Sequence, residues 1–288
     1  MDLKVTEYTV DGDGVAVVRF NRPGRGNSWS GRMSAEYKWI MARLDDDPAV
    51  RVIVITGAGR QFCVGADFKA LDLYAESGED YAASVLQLDG ARPGYGVRPE
   101  YDHDLVWHWG MKKPVIAAIN GACAGIALAI AAYCDYRYAA EGAKITSASP
   151  RFALPAEYGL SWLLPRMIGL THATDWLVSG RVVLAEEAAQ RGFLNEVFAA
   201  DQFMERVTAQ ARNLATTLSP LATATTKRQI YAELMSADVG CAVEDSKQLI
   251  STLMRGGDYK EGVRALQEKR LPRFGPLDAG ATITGAVR

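Results

Sequence analysis

"NGACAGIALAIAAYCD", residues 120 to 135, decides how the rest of the chain is read. It opens on Asn120 and Gly121 and passes through small residues to Gly125. From there it is an almost pure run of Ala, Ile and Leu, with no charge before Asp135. Joined to the preceding "PVIAAI", it gives a stretch from Pro114 to Cys134 long and apolar enough to resemble a membrane helix. Asn120 and Gly121 split that stretch, however, and Ala dominates its second half. A strand ending at Asn120, a turn of small residues and a helix beginning around Gly125 is the better reading. Such a turn leaves unpaired N–H groups at the helix start, where they can point at an oxygen.

Working outward, "VAVVRFN" (15–21) and "VRVIVITG" (50–57) are β-branched apolar runs that close at Asn or Gly. Strands buried on both faces have this look. "DYRYAAE" (135–141), "AKITSAS" (143–149) and "NEVFAA" (195–200) read as shorter strands. Between them, "SAEYKWIMARLDD" (34–46) repeats Tyr37, Ile40, Met41 and Leu44 at helical spacing. Strands alternating with helices predict an α/β core with mostly parallel pairing. From Thr171 onward the pattern is almost wholly helical. The segment 76–101, rich in Gly, Pro and charge, is the candidate for a mobile loop or lid.

With 288 residues, 49% hydrophobic and 23% charged, the chain can bury a full core. Its net charge of -2 gives no reason to expect nucleic acid or an anionic membrane as partner. Cys63, Cys123, Cys134 and Cys241 form no CxxC or Cys/His spacing, so no metal site is expected. They read as reduced thiols in a cytoplasm. The opening "MDLKVTEYTV" has no apolar segment behind a basic one, so no secretory signal is expected.

A second turn of the opening kind lies in "ITGAGRQFCVGADF" (55–68). It fails as a dinucleotide fingerprint because Phe62 stands where GxGxxG needs its third glycine. Gly65 instead allows close approach of a ligand, and the N–H of Ala66 can face an oxygen. Two such turns could aim two N–H groups at one carbonyl oxygen, the arrangement that stabilises an enolate.

At this point the chain resembles the crotonase superfamily, the enoyl-CoA hydratase/isomerase family. The resemblance rests on "FNRPGRGNSWS" (20–30), "VIVITGAGRQFCVGADF" (52–68), "KKPVIAAINGACAGIALAIAAYCD" (112–135), "YGLSWLLPRMIG" (158–169), "SGRVVLAEEAAQRGFLNEV" (179–197) and "EKRLPRF" (268–274), in the family's order. It spans Val5 to Phe274 and implies an α/β fold, a crotonase-type spiral of ββα units with a helical C-terminal trimerisation region. The implied division is a core over 1–200 holding the CoA and acyl site, a helical oligomerisation region over 201–274, and a flexible tail over 275–288. It further implies an acyl-CoA thioester substrate, with CoA belonging to the substrate rather than acting as cofactor, and a homotrimer or dimer of trimers. By the same carry-over, the thioester oxygen sits between the N–H groups of Ala66 and Ile126. Asp67, Phe68 and nearby backbone hold the adenine, and Arg25 and Lys269 face CoA phosphate. Ile126 departs from the Gly that many members carry.

The family's hydratases use two glutamates, one nine residues after the position of Asn120 and one fourteen after that of Asp135. Here those positions are Ala129 and Ser149. Hydration needs a base for water and an acid for C2, so an ordinary two-glutamate hydratase is disfavoured. In "LPAEYGLSW", Glu157 matches the position from which family isomerases present a single acid. One carboxylate can move a proton from C2 to C4 while two N–H groups hold the enolate oxygen. An isomerase with Glu157 as acid/base is therefore the leading expectation. A hydratase with a displaced acid, or a non-catalytic acyl-CoA-binding protein, stand as alternatives. His103 and His108, beside Trp107 and Trp109, are expected at the surface or the core edge, and Asp72 and Glu76 in solvent.

Overall fold

The computed structural model describes residues 1–67 and 90–277. Among the described residues nine strands form in chain order: β1 (Thr6–Val10), β2 (Val15–Phe20), β3 (Val52–Gly57), β4 (Val115–Ile119), β5 (Cys123–Ala124), β6 (Tyr136–Ala140), β7 (Lys144–Thr146), β8 (Val183–Leu184) and β9 (Glu196–Phe198). The larger sheet has the order β1-β2-β3-β4-β6-β9 and is parallel except for the β1–β2 pair. A smaller sheet, β5-β7-β8, lies beside it.

The apolar runs have a two-sided explanation. Along β3 every residue is buried, and alternate residues serve different cores. Ile53 and Ile55 join Val115, Ala117 and Ile119 in the main core. Val52 and Val54 face the other way, with Ile116, onto Phe203, Val207, Ala211 and Ala215. Those four recur every fourth residue of a helix that spans Phe203–Thr217, so one apolar stripe covers the second face.

Nine α-helices stand among the described residues: α1 (Gly31–Asp46), α2 (Ile126–Tyr133), α3 (Leu160–Ile168), α4 (Leu170–Ser179), α5 (Ala185–Gln190), α6 (Phe203–Thr217), α7 (Pro220–Glu233), α8 (Val239–Leu253) and α9 (Gly257–Gln267). Helix α1 starts three residues before the periodic run, because the Ser30 hydroxyl accepts from the Met33 N–H and caps it. The strand β1 carries a mixed burial pattern and was not legible as a strand; pairing with β2 creates it. The membrane-like stretch resolves into β4, a turn and the eight residues of α2, and no helix of the described residues is long and apolar enough to cross a membrane. Residues 76–89 of the expected lid lie outside the described residues. Its remainder, 90–101, consists of turns and a short 3-10 helix, Pro99–Tyr101, with Tyr101 buried.

Candidate active site

The ends of β3 and β4 are tied together by the Asn120 side chain. Its Oδ1 accepts from the Gly57 N–H at 3.1 Å, and its Nδ2 donates to the carbonyls of Gly57 and Gly59, each at 3.0 Å. The chain beyond then pairs with the chain beyond β3. Cys63 N–H donates to Ala122 O and Ala124 N–H to Cys63 O, both at 3.0 Å. A side chain on Gly121 would run into the Arg60 carbonyl, so glycine permits this approach.

Both turns end with a backbone donor that has no acceptor among the described residues. Trp29 N–H donates to Gly65 O at 2.7 Å and Asp67 N–H donates to Trp29 O at 2.9 Å. In that parallel bridge the intervening Ala66 N–H has no acceptor among the described residues. Ile126 is the first residue of α2, where no earlier helical carbonyl can serve its N–H. The two turns lie against one another: a Cβ built on Gly125 would stand 3.9 Å from the Gly65 Cα. Gly125 has φ 55° and ψ -120°, a conformation that is essentially restricted to glycine. The Ile126 side chain is partly buried against the main core, which leaves its N–H to the turn.

The acid positions follow. Ala129 is fully buried within α2, and its neighbours Ala127, Leu128 and Ile130 are core residues. Ser149 begins a 3-10 turn, Ser149–Phe152, and its hydroxyl lies 3.1 Å from Oε2 of Glu157. Thus Glu157 delivers its carboxylate to the place where the sequence has lost an acid. Burial pushes the Glu157 carboxyl above its ordinary value, and the Ser149 hydrogen bond pulls in the opposite direction. Non-glycine residues in the left-handed region shape this loop: Ala148 (φ 58°), Ala153 (φ 57°) and Tyr158 (φ 50°). The Tyr133 hydroxyl, from α2, donates to the Tyr158 carbonyl at 2.8 Å and holds the loop's exit.

Arg25 and Asp67 are brought together, 3.8 Å apart, with Arg25 exposed. Sequence reading missed the residue between them. Arg22 reaches Asp67 Oδ2 at 2.7 Å and also donates to the Ser28 carbonyl, so Asp67 ties the 22–28 loop to the 63–67 turn. The "NRPGRGN" motif did not tell which arginine would take the carboxylate. Phe68, Asp72 and Glu76 lie outside the described residues. Lys269 follows α9 in the left-handed region and is exposed, and the ion pairs to Asp67 among the described residues come from Arg22 and Arg25.

The expectation for the histidines is corrected for one of them. His103 is exposed, but His108 is wholly buried. Its Nδ1 lies 2.6 Å from the Leu105 carbonyl and its Nε2 lies 2.6 Å from the Tyr37 hydroxyl. A neutral ring donating from Nδ1 and accepting at Nε2 satisfies both contacts. Burial pushes its pKa down to about 3. Tyr37 comes from α1, far away in sequence, which is why local pattern placed His108 wrongly.

Comparison with known proteins fits this geometry. The enoyl-CoA hydratase/isomerase family model matches residues 11–276. A probable enoyl-CoA hydratase of Mycobacterium leprae is 33% identical over 261 residues, 89% of this chain and 85% of that protein. The 1,2-epoxyphenylacetyl-CoA isomerase of Escherichia coli is 31% identical over 264 residues, covering 91% and 95%. Among solved structures, an enoyl-CoA hydratase from Bacillus anthracis superimposes with a TM-score of 0.82 at 26% identity, over 94% of this chain and 99% of that one. Both hydratases and isomerases thus stand among its relatives, and the chain belongs to the enoyl-CoA hydratase/isomerase family of the crotonase superfamily.

Proposed function

We propose that this enzyme moves the double bond of an enoyl-CoA, with Glu157 as the single acid/base. The observation that carries the reading is the carboxylate of Glu157 against Ser149, with Ala129 buried among core residues. Glu157 takes a proton from C2 of a 3-enoyl-CoA. The C–H electron pair flows into the thioester, and the enolate oxygen lies between the N–H groups of Ala66 and Ile126. Glu157 then returns the proton at C4, and the double bond comes to rest between C2 and C3. The half-buried setting supports this role, since a carboxyl raised above its usual value is the stronger base. Arg25 and Lys269 meet CoA phosphate, and Asp67 and Phe68 the adenine. Exposed apolar side chains on α8, among them Val239, Val243 and Ile250, favour assembly into a trimer or a dimer of trimers.

Turnover of a 3-enoyl-CoA, followed by the appearance of the conjugated thioester, tests the reading. Glu157→Gln should lower kcat by roughly a hundredfold or more, the usual worth of a positioned acid/base, while acyl-CoA affinity by calorimetry changes little. Full activity in that variant removes Glu157 from the mechanism. Water addition to a 2-enoyl-CoA without isomerisation selects a hydratase with a displaced acid, and tight binding without any turnover selects a binding protein.

A further inference from the structure

The hydroxyl of Ser149 has one proton and two acceptors. Its Oγ lies 3.2 Å from the Ser147 carbonyl and 3.1 Å from Glu157 Oε2. A single O–H cannot donate to both. When Glu157 is ionised, the proton points to the carboxylate. When Glu157 is protonated, its own O–H can donate to Ser149 Oγ, and the serine proton turns to Ser147. Each protonation state of Glu157 therefore has a complete hydrogen-bond arrangement, reached by rotating one hydroxyl.

We propose that Ser149 is a positioning residue that switches its proton between Ser147 and Glu157 as Glu157 takes and returns the substrate proton. The proposal rests on Glu157 being the acid/base. Its anchors are firm. The Ser147 hydroxyl donates to the Trp176 carbonyl of α4 at 3.3 Å, and the Thr146 carbonyl accepts from Gly125 N–H at 3.0 Å. The Ser147 carbonyl stands 3.8 Å from where a Gly125 Cβ would lie. The acceptor that Ser149 shares thus lies against the turn that leads into Ile126, and the Gly125–Thr146 hydrogen bond ties the two segments together.

Among the described residues, the other ionisable groups around the loop make no hydrogen bond or ion pair with Glu157. Tyr133, pushed up to about 12 by burial, donates to Tyr158. Arg151 is exposed on the 3-10 turn, Arg166 lies over the Trp162 ring at 3.9 Å, and Arg181 pairs with Asp175 at 2.6 Å. Among the described residues no ion pair reaches Glu157, and Ser149 is its one hydrogen-bond donor.

The test compares Ser149→Ala and Ser149→Thr with the native enzyme. In the alanine variant the ionised carboxylate loses its donor, so the acidic limb of kcat/KM moves to higher pH. Activity on that limb falls by roughly tenfold, the worth of one hydrogen bond to a charged group, while the alkaline plateau is kept. Threonine restores the hydroxyl and the native limb. Carbon NMR of glutamate-labelled protein reads Glu157 directly, its resonance identified by its loss in Glu157→Gln, and needs no substrate. Its titration midpoint should rise in Ser149→Ala and return in Ser149→Thr. An unchanged midpoint in Ser149→Ala, with Glu157→Gln inactive, overturns the role of Ser149 alone. Full activity in Glu157→Gln overturns the acid/base reading, and the relay with it.

Discussion

Two partly buried carboxylates of this chain are served in opposite ways. Asp135, at the end of the opening segment, accepts from Val115 N–H at 2.7 Å, Lys227 Nζ at 2.8 Å and the Tyr231 hydroxyl at 2.9 Å. Those donors come from β4 and α7, so Asp135 clamps the sheet to a helix beyond it. Glu157 has one hydroxyl, shared with a carbonyl, and no cation among the described residues. Where a buried acid is surrounded by fixed donors its task is architectural. Where it is left with one rotatable donor it is free to exchange a proton. The pair shows that burial alone does not mark a functional acid; the supply of donors does.

Breaking the Asp135 clamp should have the largest effect on stability. Lys227→Met leaves a carboxylate without its buried cation, and the loss should be about 3–5 kcal/mol, read from the midpoint of urea unfolding. A loss below about 1 kcal/mol, the scale of an exposed pair, would put Asp135 and Glu157 in the same class and end the contrast. Less is expected at His108. Tyr37→Phe removes the partner of a buried ring nitrogen and should cost about 1–3 kcal/mol. The pH dependence there is distinct. His108 has a folded value of about 3, far below its ordinary 6.5, so its contribution is complete above 6.5 and is lost as pH falls toward 3. Replacing His108 by Gln should flatten that part of the stability–pH curve; an unchanged curve would mean the ring accepts a proton in the fold.

The smallest effect, and the sharpest for the contrast, is on Glu157. Its folded value is raised, so the contribution is complete below the unfolded carboxyl value and is lost as pH rises through the folded one. Glu157→Gln should therefore be as stable as native protein, or slightly more so, at neutral pH while losing turnover. Thermal melts of the two proteins at neutral and acidic pH check the sign. A marked destabilisation at neutral pH would assign Glu157 an architectural role like that of Asp135.

The sequence by itself determined the strands buried on both faces, the two glycine-bearing turns and the helix after Gly125, whereas the loss of acids at Ala129 and Ser149 is visible only against the family resemblance. The strands, turns and helix are local signals, because periodicity and glycine punctuation report the backbone a few residues at a time. Glu157 was reached through resemblance, and its partner was not visible at all. Only the tertiary structure decided that Ser149 meets Glu157, because their contact depends on Ala148, Ala153 and Tyr158 adopting left-handed backbone, which no glycine announces. The same holds for Arg22 taking the Asp67 carboxylate and for Tyr37 enclosing His108. Side-chain partners distant in sequence are chosen by packing, and packing leaves no periodic trace along the chain.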